Sequence, residues 1–300
     1  MAPRLARRWL RYLSVAIACA IAATSAAGQG PFRLEPRTVV ESRLKSFPTN
    51  NRDREALIRK WFAESGCTDA NLSEQSLQSM ERKLPSNVIC ILPGNMPGGE
   101  SEQIILVGAH TDHVDDFGDG VVDNWSGASL LPSLLYSLSA QPRRHTFIFV
   151  GFSAEEKGLV GSEYFAGHLT ADERARIDGM VNLDSLGLGP TEVWATHADK
   201  VMLAPLVAVA AESKLPVSPM NVDNLGTADS ESFARYHIPR VTLHSVTSNT
   251  WAILHSPRDT LTAIRMDDYW DSYHLIAEYL AYLDDVLKPG TAAKSDRAVH

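Results

Sequence analysis

The sequence predicts a single α/β domain with a mixed, mostly parallel central sheet and helices on both faces. From residue 87 to residue 287, short apolar runs alternate with helical patterns. The runs at 104–107 and 147–150 are continuously apolar, which is typical of strands covered on both faces. The segment between them carries leucines at helical spacing, so strand, helix and strand form a right-handed parallel crossover. With 300 residues and 44% hydrophobic content, the chain can bury one substantial core.

The core of the domain is predicted at residues 87–287, and the segment 28–86 is predicted to be an N-terminal cap. This cap is polar and irregular, apart from one helical pattern at 53–64. Apolar runs in the core predict strands at 88–92, 103–109, 145–152, 180–183, 192–195 and 240–244. Apolar residues at helical spacing predict helices at 126–140, 158–169, 200–214, 230–236 and 267–287.

The first 27 residues have the layout of a secretory signal peptide. Four arginines precede an apolar stretch at 12–23, and small residues follow it. A membrane anchor is the alternative, but about a dozen apolar residues are short against the roughly 20 of a spanning helix. We therefore predict export to the periplasm or the medium, with no stable membrane span after cleavage. The small, polar tail at 288–300 is predicted to be disordered.

The charge of the chain argues against a nucleic-acid partner. The full sequence has 28 basic and 36 acidic side chains, a formal net charge of −8. Removing the four arginines of the leader lowers this charge to about −12. Domains that bind nucleic acids carry basic patches instead.

Two cysteines, Cys67 and Cys90, remain once the leader is removed. An oxidising compartment permits such a pair to form a disulfide. Two free, buried thiols are the alternative, because cysteine is among the most frequently buried residue types.

Acidic residues and a histidine follow several of the predicted strands. His110 comes after the strand at 103–109, and Asp184 comes after the strand at 180–183. Glu155 and Glu156 follow another strand in the same way. Because ligands of α/β sheets bind beyond the carboxyl ends of the strands, we expect these side chains to meet at one edge.

Imidazole and carboxylate groups are the ligands that zinc takes in catalytic sites. Two zinc ions can share a bridging carboxylate and a bridging hydroxide, which serves as the nucleophile. Three carboxylates and one hydroxide neutralise two such ions, and a neutral cluster costs less to bury than a charged one. Of the neighbours Glu155 and Glu156, one can bind metal while the other acts as general base. The residue pattern alone leaves open which glutamate does which.

Five motifs in order resemble those of the M28 peptidase family, the secreted zinc aminopeptidases with two metal ions. They are AHxD, DNxSG, EE, NLDxxG and HxPxDT, spread over residues 87–287. The resemblance implies a fold like that of zinc-dependent exopeptidases, two zinc ions per chain and peptide substrates. His110 and Asp184 would hold one zinc ion. Glu156 and His255 would hold the other, and Asp123 would bridge the two.

The same resemblance implies roles for neighbouring residues. Glu155 would be the catalytic base, and Asp112 would orient His110. The peptide bond between Asp123 and Asn124 would be cis. Asp229, in the segment TADSESF, would lie in an acidic stretch near the substrate.

One departure from the family pattern concerns the oxyanion. Enzymes of this kind often carry a tyrosine near the late histidine, whereas Leu254 stands directly before His255 here. Trp251 has no hydroxyl group to replace it, so the oxyanion donor is unassigned. The other histidines, among them His113 and His244, lie outside the motifs and are interpreted as structural or exposed.

The sequence therefore predicts an exported zinc aminopeptidase. A glutaminyl cyclase with one zinc ion, in which Glu155 would shuttle a proton, is the first alternative. A non-catalytic binding ectodomain on the same fold is the second. The chain lacks an HExxH helix, and GFSAE at 151–155 lacks the last glycine of a serine-hydrolase elbow. Side-chain preference and oligomeric state stay open.

Overall fold

The computed structural model describes residues 32–77, 84–98, 102–114, 117–224 and 226–288. The predicted signal peptide and residues 289–300 of the predicted tail lie outside these ranges. In the described part of the chain, no helix has both the length and the apolar character that crossing a membrane requires.

The described residues form one sheet of eight strands in the order β1-β2-β4-β3-β5-β8-β6-β7. The four strands β4, β3, β5 and β8 are parallel, while β1, β2 and β6 introduce antiparallel pairings towards the two edges. The predicted mixed, mostly parallel sheet is confirmed. The strands are β1 (Leu72–Gln75), β2 (Asn87–Leu92), β3 (Ile104–His110), β4 (Thr146–Phe152), β5 (Ile177–Leu183), β6 (Thr191–Val193), β7 (Val217–Pro219) and β8 (Arg240–His244).

Helices cover both faces of this sheet, and each face buries its own apolar core. Alternate residues of β3 point to opposite faces: Ile105 and Val107 belong to the larger core, whereas Ile104 and Leu106 belong to the smaller one. The helices are α1 (Arg37–Lys45), α2 (Asn51–Glu64), α3 (Ser126–Ala128), α4 (Leu131–Ser139), α5 (Val160–His168), α6 (Ala171–Ala175), α7 (Lys200–Ser213), α8 (Glu231–Ala234) and α9 (Met266–Val286).

The segment before residue 87 contains more regular structure than its sequence predicts. Besides the predicted helix, now α2, it forms helix α1 and the edge strand β1. Only Val40 and Leu44 give α1 a buried apolar side, and its third buried residue is Arg43. The Arg43 guanidinium donates to Glu35 and to the hydroxyl groups of two serines, so a buried polar network holds this helix. Such a network produces no apolar periodicity.

The helix predicted at 126–140 is broken in the structure. A wide turn over Val121–Trp125 leads into α3, and Pro132 opens the separate helix α4. The missing backbone N–H of proline costs no helical hydrogen bond in the first turn, which fits the position of Pro132 at the start of α4. The wide turn gives Asp123 a non-helical backbone, with a φ of −113° and a ψ of 91°.

The carboxyl ends of β3, β4, β5 and β8 lie together at one edge of the sheet. These strands end at His110, Phe152, Leu183 and His244. Their parallel pairing carries the residues that follow them to the same side. The predicted acidic and histidine residues therefore meet at this edge.

Candidate metal centre

A cavity of about 280 Å³ opens at this edge of the sheet. Six of the residues selected from the sequence line it, and they come from five different parts of the chain. Its wall includes His110, Asp123, Glu155, Glu156, Asp184 and His255.

Strand ends and turns place these side chains at the cavity. His110 is the last residue of β3 and is 2% exposed, and Asp184 directly follows β5. Ala154 adopts a left-handed conformation with a φ of 58°, which ends the extended path of β4 just before Glu155 and Glu156. Both glutamates then line one cavity, although adjacent residues of a continuing strand would point to opposite faces.

Asp123 lies between the two histidines. Its Oδ1 is 3.1 Å from Nε2 of His110, and its Oδ2 is 3.1 Å from Nε2 of His255. One carboxylate therefore faces two imidazoles with different oxygen atoms, which is the geometry of a bridging ligand.

A second carboxylate accompanies each histidine. Nε2 of His255 is 3.0 Å from an Oε atom of Glu156, and Nε2 of His110 is 3.7 Å from Oδ1 of Asp184. Among the described residues, three groups of possible ligand atoms lie within 4.8 Å of one another. Two of them share Asp123: His110, Asp123 and Asp184, and Asp123, Glu156 and His255. The third consists of His110, Glu155 and Glu156.

The charges of these groups fit divalent cations. Burial alone lowers the pKa of His110, but Glu155 and other carboxylates outweigh it and raise that pKa well above its ordinary value. Hydrogen bonds with Asp123 and Glu156 raise the pKa of His255 to about 10. The carboxylates thus stabilise the protonated form of both imidazoles. Metal ions would take the place of these protons. Imidazole nitrogen and carboxylate oxygen are a donor set that suits zinc.

Glu155 belongs to neither of the two sets that share Asp123. Burial, with nearby Asp229 and Asp184, raises its pKa to about 10 against the opposing effect of His110. The residue pattern alone does not distinguish the two glutamates, whereas the family resemblance assigns Glu156 to a metal ion and Glu155 to proton transfer. In the structure, Glu156 lies against His255, and Glu155 faces the cavity beside it.

Asp112 connects His110 to the glutamate turn. Its carboxylate accepts the backbone N–H groups of Glu155 and Glu156 at 3.0 and 3.3 Å. The hydrogen-bond partner of His110 Nδ1 is the backbone carbonyl of Asp112, at 3.1 Å, while the Asp112 carboxylate lies 3.7 Å away. Either contact directs Nε2 of His110 towards Asp123.

Two buried residues inside the quoted motifs have contacts that the sequence did not reveal. Asp259 accepts the backbone N–H groups of Val122 and Asp123 at 2.6 and 3.1 Å. Asn124 donates to the carbonyl of Leu183 and accepts the N–H of Ser185, so it holds the backbone on both sides of Asp184. Asn124 belongs to the DNxSG motif and Asp259 to the HxPxDT motif, and this membership could have identified them as site residues from the sequence. The peptide bond between Asp123 and Asn124 is cis, as expected.

The wall of the cavity also contains residues outside the predicted set. His244 is buried there; its Nδ1 accepts the N–H of Val246, and its Nε2 donates to the carbonyl of Met220. Burial lowers the pKa of His244, so it is a neutral part of the wall. Leu254 lines the cavity as well and brings no hydroxyl group. Asp229, which the resemblance places near the substrate, is fully buried directly after the wall residue Ala228, and burial raises its pKa to about 7.

The sequence pattern of peptidase family M28 matches residues 87–280. The chain belongs to peptidase family M28. It is 31% identical over 184 residues to leupeptin-inactivating enzyme 1 of Streptomyces exfoliatus, and this match covers 57% of this chain and 41% of that protein. It is 34% identical over 112 residues to aminopeptidase YwaD of Bacillus subtilis, covering 37% of this chain and 24% of that one. The matches thus span less than half of the length of these M28 relatives.

Solved structures show the same fold. A zinc aminopeptidase from Bacillus subtilis superposes with a TM-score of 0.61 at 22% identity, covering 71% of this chain and 54% of that one. A glutaminyl cyclase from an Acidobacteriales bacterium superposes with a TM-score of 0.70 at 16% identity, covering 88% of this chain and 99% of that one. At these identities the likeness concerns the M28 fold alone.

Proposed function

We propose that this chain is an exported aminopeptidase that uses two zinc ions to remove N-terminal residues from peptides. The observation that carries the proposal is the position of Asp123, whose two carboxylate oxygens lie 3.1 Å from two different histidines. A single-ion site has no need for this arrangement. Membership of peptidase family M28 and the aminopeptidases among the relatives support the reaction type.

His110 and Asp184 would hold one ion, Glu156 and His255 the other, and Asp123 both. When bound, zinc polarises the scissile carbonyl and makes water a better nucleophile near neutral pH. Asp112 orients His110, while Asp259 and Asn124 fix the backbone that presents Asp123 and Asp184.

Glu155 is the proton carrier in this proposal. Its carboxylate takes a proton from the water that attacks the carbonyl carbon and returns it to the nitrogen of the leaving amine. Burial favours its neutral form, and nearby cationic charge favours its ionised form. Glu155 can therefore both accept and donate a proton at the cavity.

The cavity suits the end of a peptide. A volume of about 280 Å³ lies at the lower end of small-molecule sites, which favours one terminal residue over a long segment. Apolar side chains on its wall, including Val246 and Leu254, can contact an apolar first side chain. The nearby carboxylates favour a substrate with a free, positively charged amino group.

Two observations support export. The N-terminal sequence has the layout of a signal peptide, and Cys67 and Cys90 form a disulfide. We further propose that residues 28–86 and 87–287 form one catalytic unit, with the former as its cap.

A glutaminyl cyclase is the second candidate, because the superposition covers 99% of such a structure. The two histidine-carboxylate sets favour two ions and therefore the aminopeptidase. A binding ectodomain without activity is disfavoured, because all five predicted ligands and Glu155 converge on one cavity.

A panel of amino-acid anilides, N-blocked peptides and peptides with N-terminal glutamine tests the proposal, with zinc analysis of the same preparation. We expect hydrolysis only where the amino group is free, with about two zinc ions per chain. Chelation should abolish hydrolysis and added zinc should restore it. Hydrolysis of only the N-blocked peptides would overturn the assignment, and one zinc ion with a cyclised product would establish the cyclase.

A further inference from the structure

Helix α2 contributes a buried arginine to the back of the metal centre, although it lies outside the residues 87–280 that match the family. Arg54 is 0% exposed. Its guanidinium lies 5.4 Å from the ring centre of Trp125, on the turn that carries Asp123. An arginine buried to this extent loses the contacts with water that normally stabilise its charge, so its protein contacts must replace them.

Nε of Arg54 donates to the carbonyl of Pro48 at 3.0 Å, and its two terminal nitrogens donate to backbone carbonyls of the loop between His110 and Asp123. The guanidinium donates to the carbonyl of Thr111 at 3.4 Å, to that of Gly120 at 3.1 Å and to that of Asp119. These residues lie at both ends of the loop. The Arg54 side chain of α2 therefore links the segment after His110 to the segment before Asp123 through hydrogen bonds.

Asn51, one helical turn earlier, holds the same loop. Its amide donates to the carbonyl of His113 at 3.2 Å, and its Oδ1 accepts the backbone N–H of His113 at 3.1 Å. The N-terminal turns of α2 thus contact the loop at several backbone positions.

A buried carboxyl group holds the other side of the segment 119–123. Asp259 accepts the N–H groups of Val122 and Asp123, whereas Arg54 donates to the carbonyls of Asp119 and Gly120. The guanidinium thus binds backbone acceptors of this segment, and the carboxyl group binds its backbone donors. Both contacts act within four residues of the carboxylate that faces the two histidines.

We propose that Arg54, assisted by Asn51, is a positioning residue that holds Asp123 and His110 in the geometry required for metal binding. This inference rests on the proposed zinc function of the site. It means that the segment before the family match takes part in metal binding. Lysine cannot replace Arg54, because a single ammonium group cannot form a planar fork to several carbonyls.

The test compares Arg54→Lys and Asn51→Ala with the wild-type protein and with Arg52→Lys, an exposed control two residues from Arg54. Zinc affinity is measured by competition with a chromophoric chelator, alongside kcat, KM and the unfolding midpoint. We expect Arg54→Lys to bind zinc at least about tenfold more weakly, with a smaller loss in Asn51→Ala. At saturating zinc, kcat should fall while KM changes little, and Arg52→Lys should match the wild type.

Wild-type zinc affinity and kcat in folded Arg54→Lys would overturn the proposal. Should that variant not fold, unchanged zinc affinity in folded Asn51→Ala would overturn it instead. A wild-type protein that binds zinc but hydrolyses no peptide would refute the aminopeptidase assignment while leaving the comparison of zinc affinities valid.

Discussion

Two carboxylates beside His110 have pKa values that move in opposite directions. Burial disfavours the charged form of Asp123, but His110 and His255 outweigh it and lower its pKa. Burial and the carboxylates of Asp229, Asp184 and Asp123 outweigh the effect of His110 on Glu155 and raise its pKa to about 10. This separation of pKa values supports the roles proposed for Asp123 as a ligand and for Glu155 as the proton carrier.

Glu155→Gln should separate catalysis from metal binding. Because the amide keeps the shape of the side chain but cannot take a proton, kcat should fall by about 10²- to 10⁴-fold with zinc content unchanged. Steady-state kinetics and zinc analysis of one preparation measure both quantities. Glu156→Gln is the matched control, and it should lose zinc as well. Wild-type kcat in Glu155→Gln would remove Glu155 from the reaction.

Gly127 of the DNxSG motif has a steric role. A Cβ atom there would lie 2.6 Å from Oδ1 of Asn124 and 2.7 Å from the carbonyl of Leu183. Both groups help to place Asp184, so relieving the contact would move the backbone beside a predicted ligand.

Gly127→Ala should lower the free energy of unfolding by about 1–3 kcal/mol, as overpacking in a buried site does. It should also weaken zinc binding. Gly189→Ala is the control, because nothing lies within 4 Å of a Cβ atom at that position. Urea denaturation and chelator competition measure the two effects, and equal results for both variants would contradict this explanation.

Among the elements, those that bury a continuous apolar run could be predicted from the sequence. The runs at 104–107 and 147–150 became β3 and β4, and their ends led to His110 and Glu155. Helix α1 escaped prediction because Arg43 supplies a polar part of its contacts, and β7 is only three residues long. Arg54 escaped because a charged residue on a helix usually faces solvent, and only the folded loop provides its carbonyl partners.

Strand β4 begins beside a buried histidine, at the edge of the sheet opposite the cavity. Nδ1 of His145 lies 3.0 Å from Asp284 of α9, and Nε2 lies 3.6 Å from Asp178 of β5. Burial lowers the pKa of His145, but the two carboxylates outweigh it and raise the pKa to about 9. This group therefore joins two strands and a helix through its charged form.

The contribution of His145 to stability should depend on pH. Because the folded state raises this pKa above its unfolded value, the contribution is complete below about pH 6.5 and is lost as the pH rises through about 9. The difference in unfolding free energy between wild type and His145→Gln should shrink by up to about 3 kcal/mol between pH 6 and pH 9.5. Urea denaturation at both values measures it. A difference that does not change with pH would show that His145 is neutral.

Over the whole molecule, the segment before residue 87 is part of the domain that contains the site. Helix α2 packs on the larger core through Ile58 and Phe62, and Arg54 reaches the loop of the metal centre. A disulfide connects Cys67, shortly after α2, to Cys90 in β2, across a sequence separation of 23 residues. The family pattern, which begins at residue 87, contains only one of these cysteines.

Breaking the disulfide should therefore loosen the segment that we propose to support the candidate metal centre. Closing a loop of this length stabilises a protein by about 3 kcal/mol, mainly by restricting the unfolded chain. Reductant should lower the urea midpoint of the wild type accordingly, and intact mass should confirm that the bond has been reduced. The double variant Cys67→Ser and Cys90→Ser should have the lower midpoint without reductant, and added reductant should not change it. If α2 positions the loop, zinc affinity should fall together with the midpoint. A reduced protein with unchanged midpoint and zinc affinity would show that the segment holds the site without this bond.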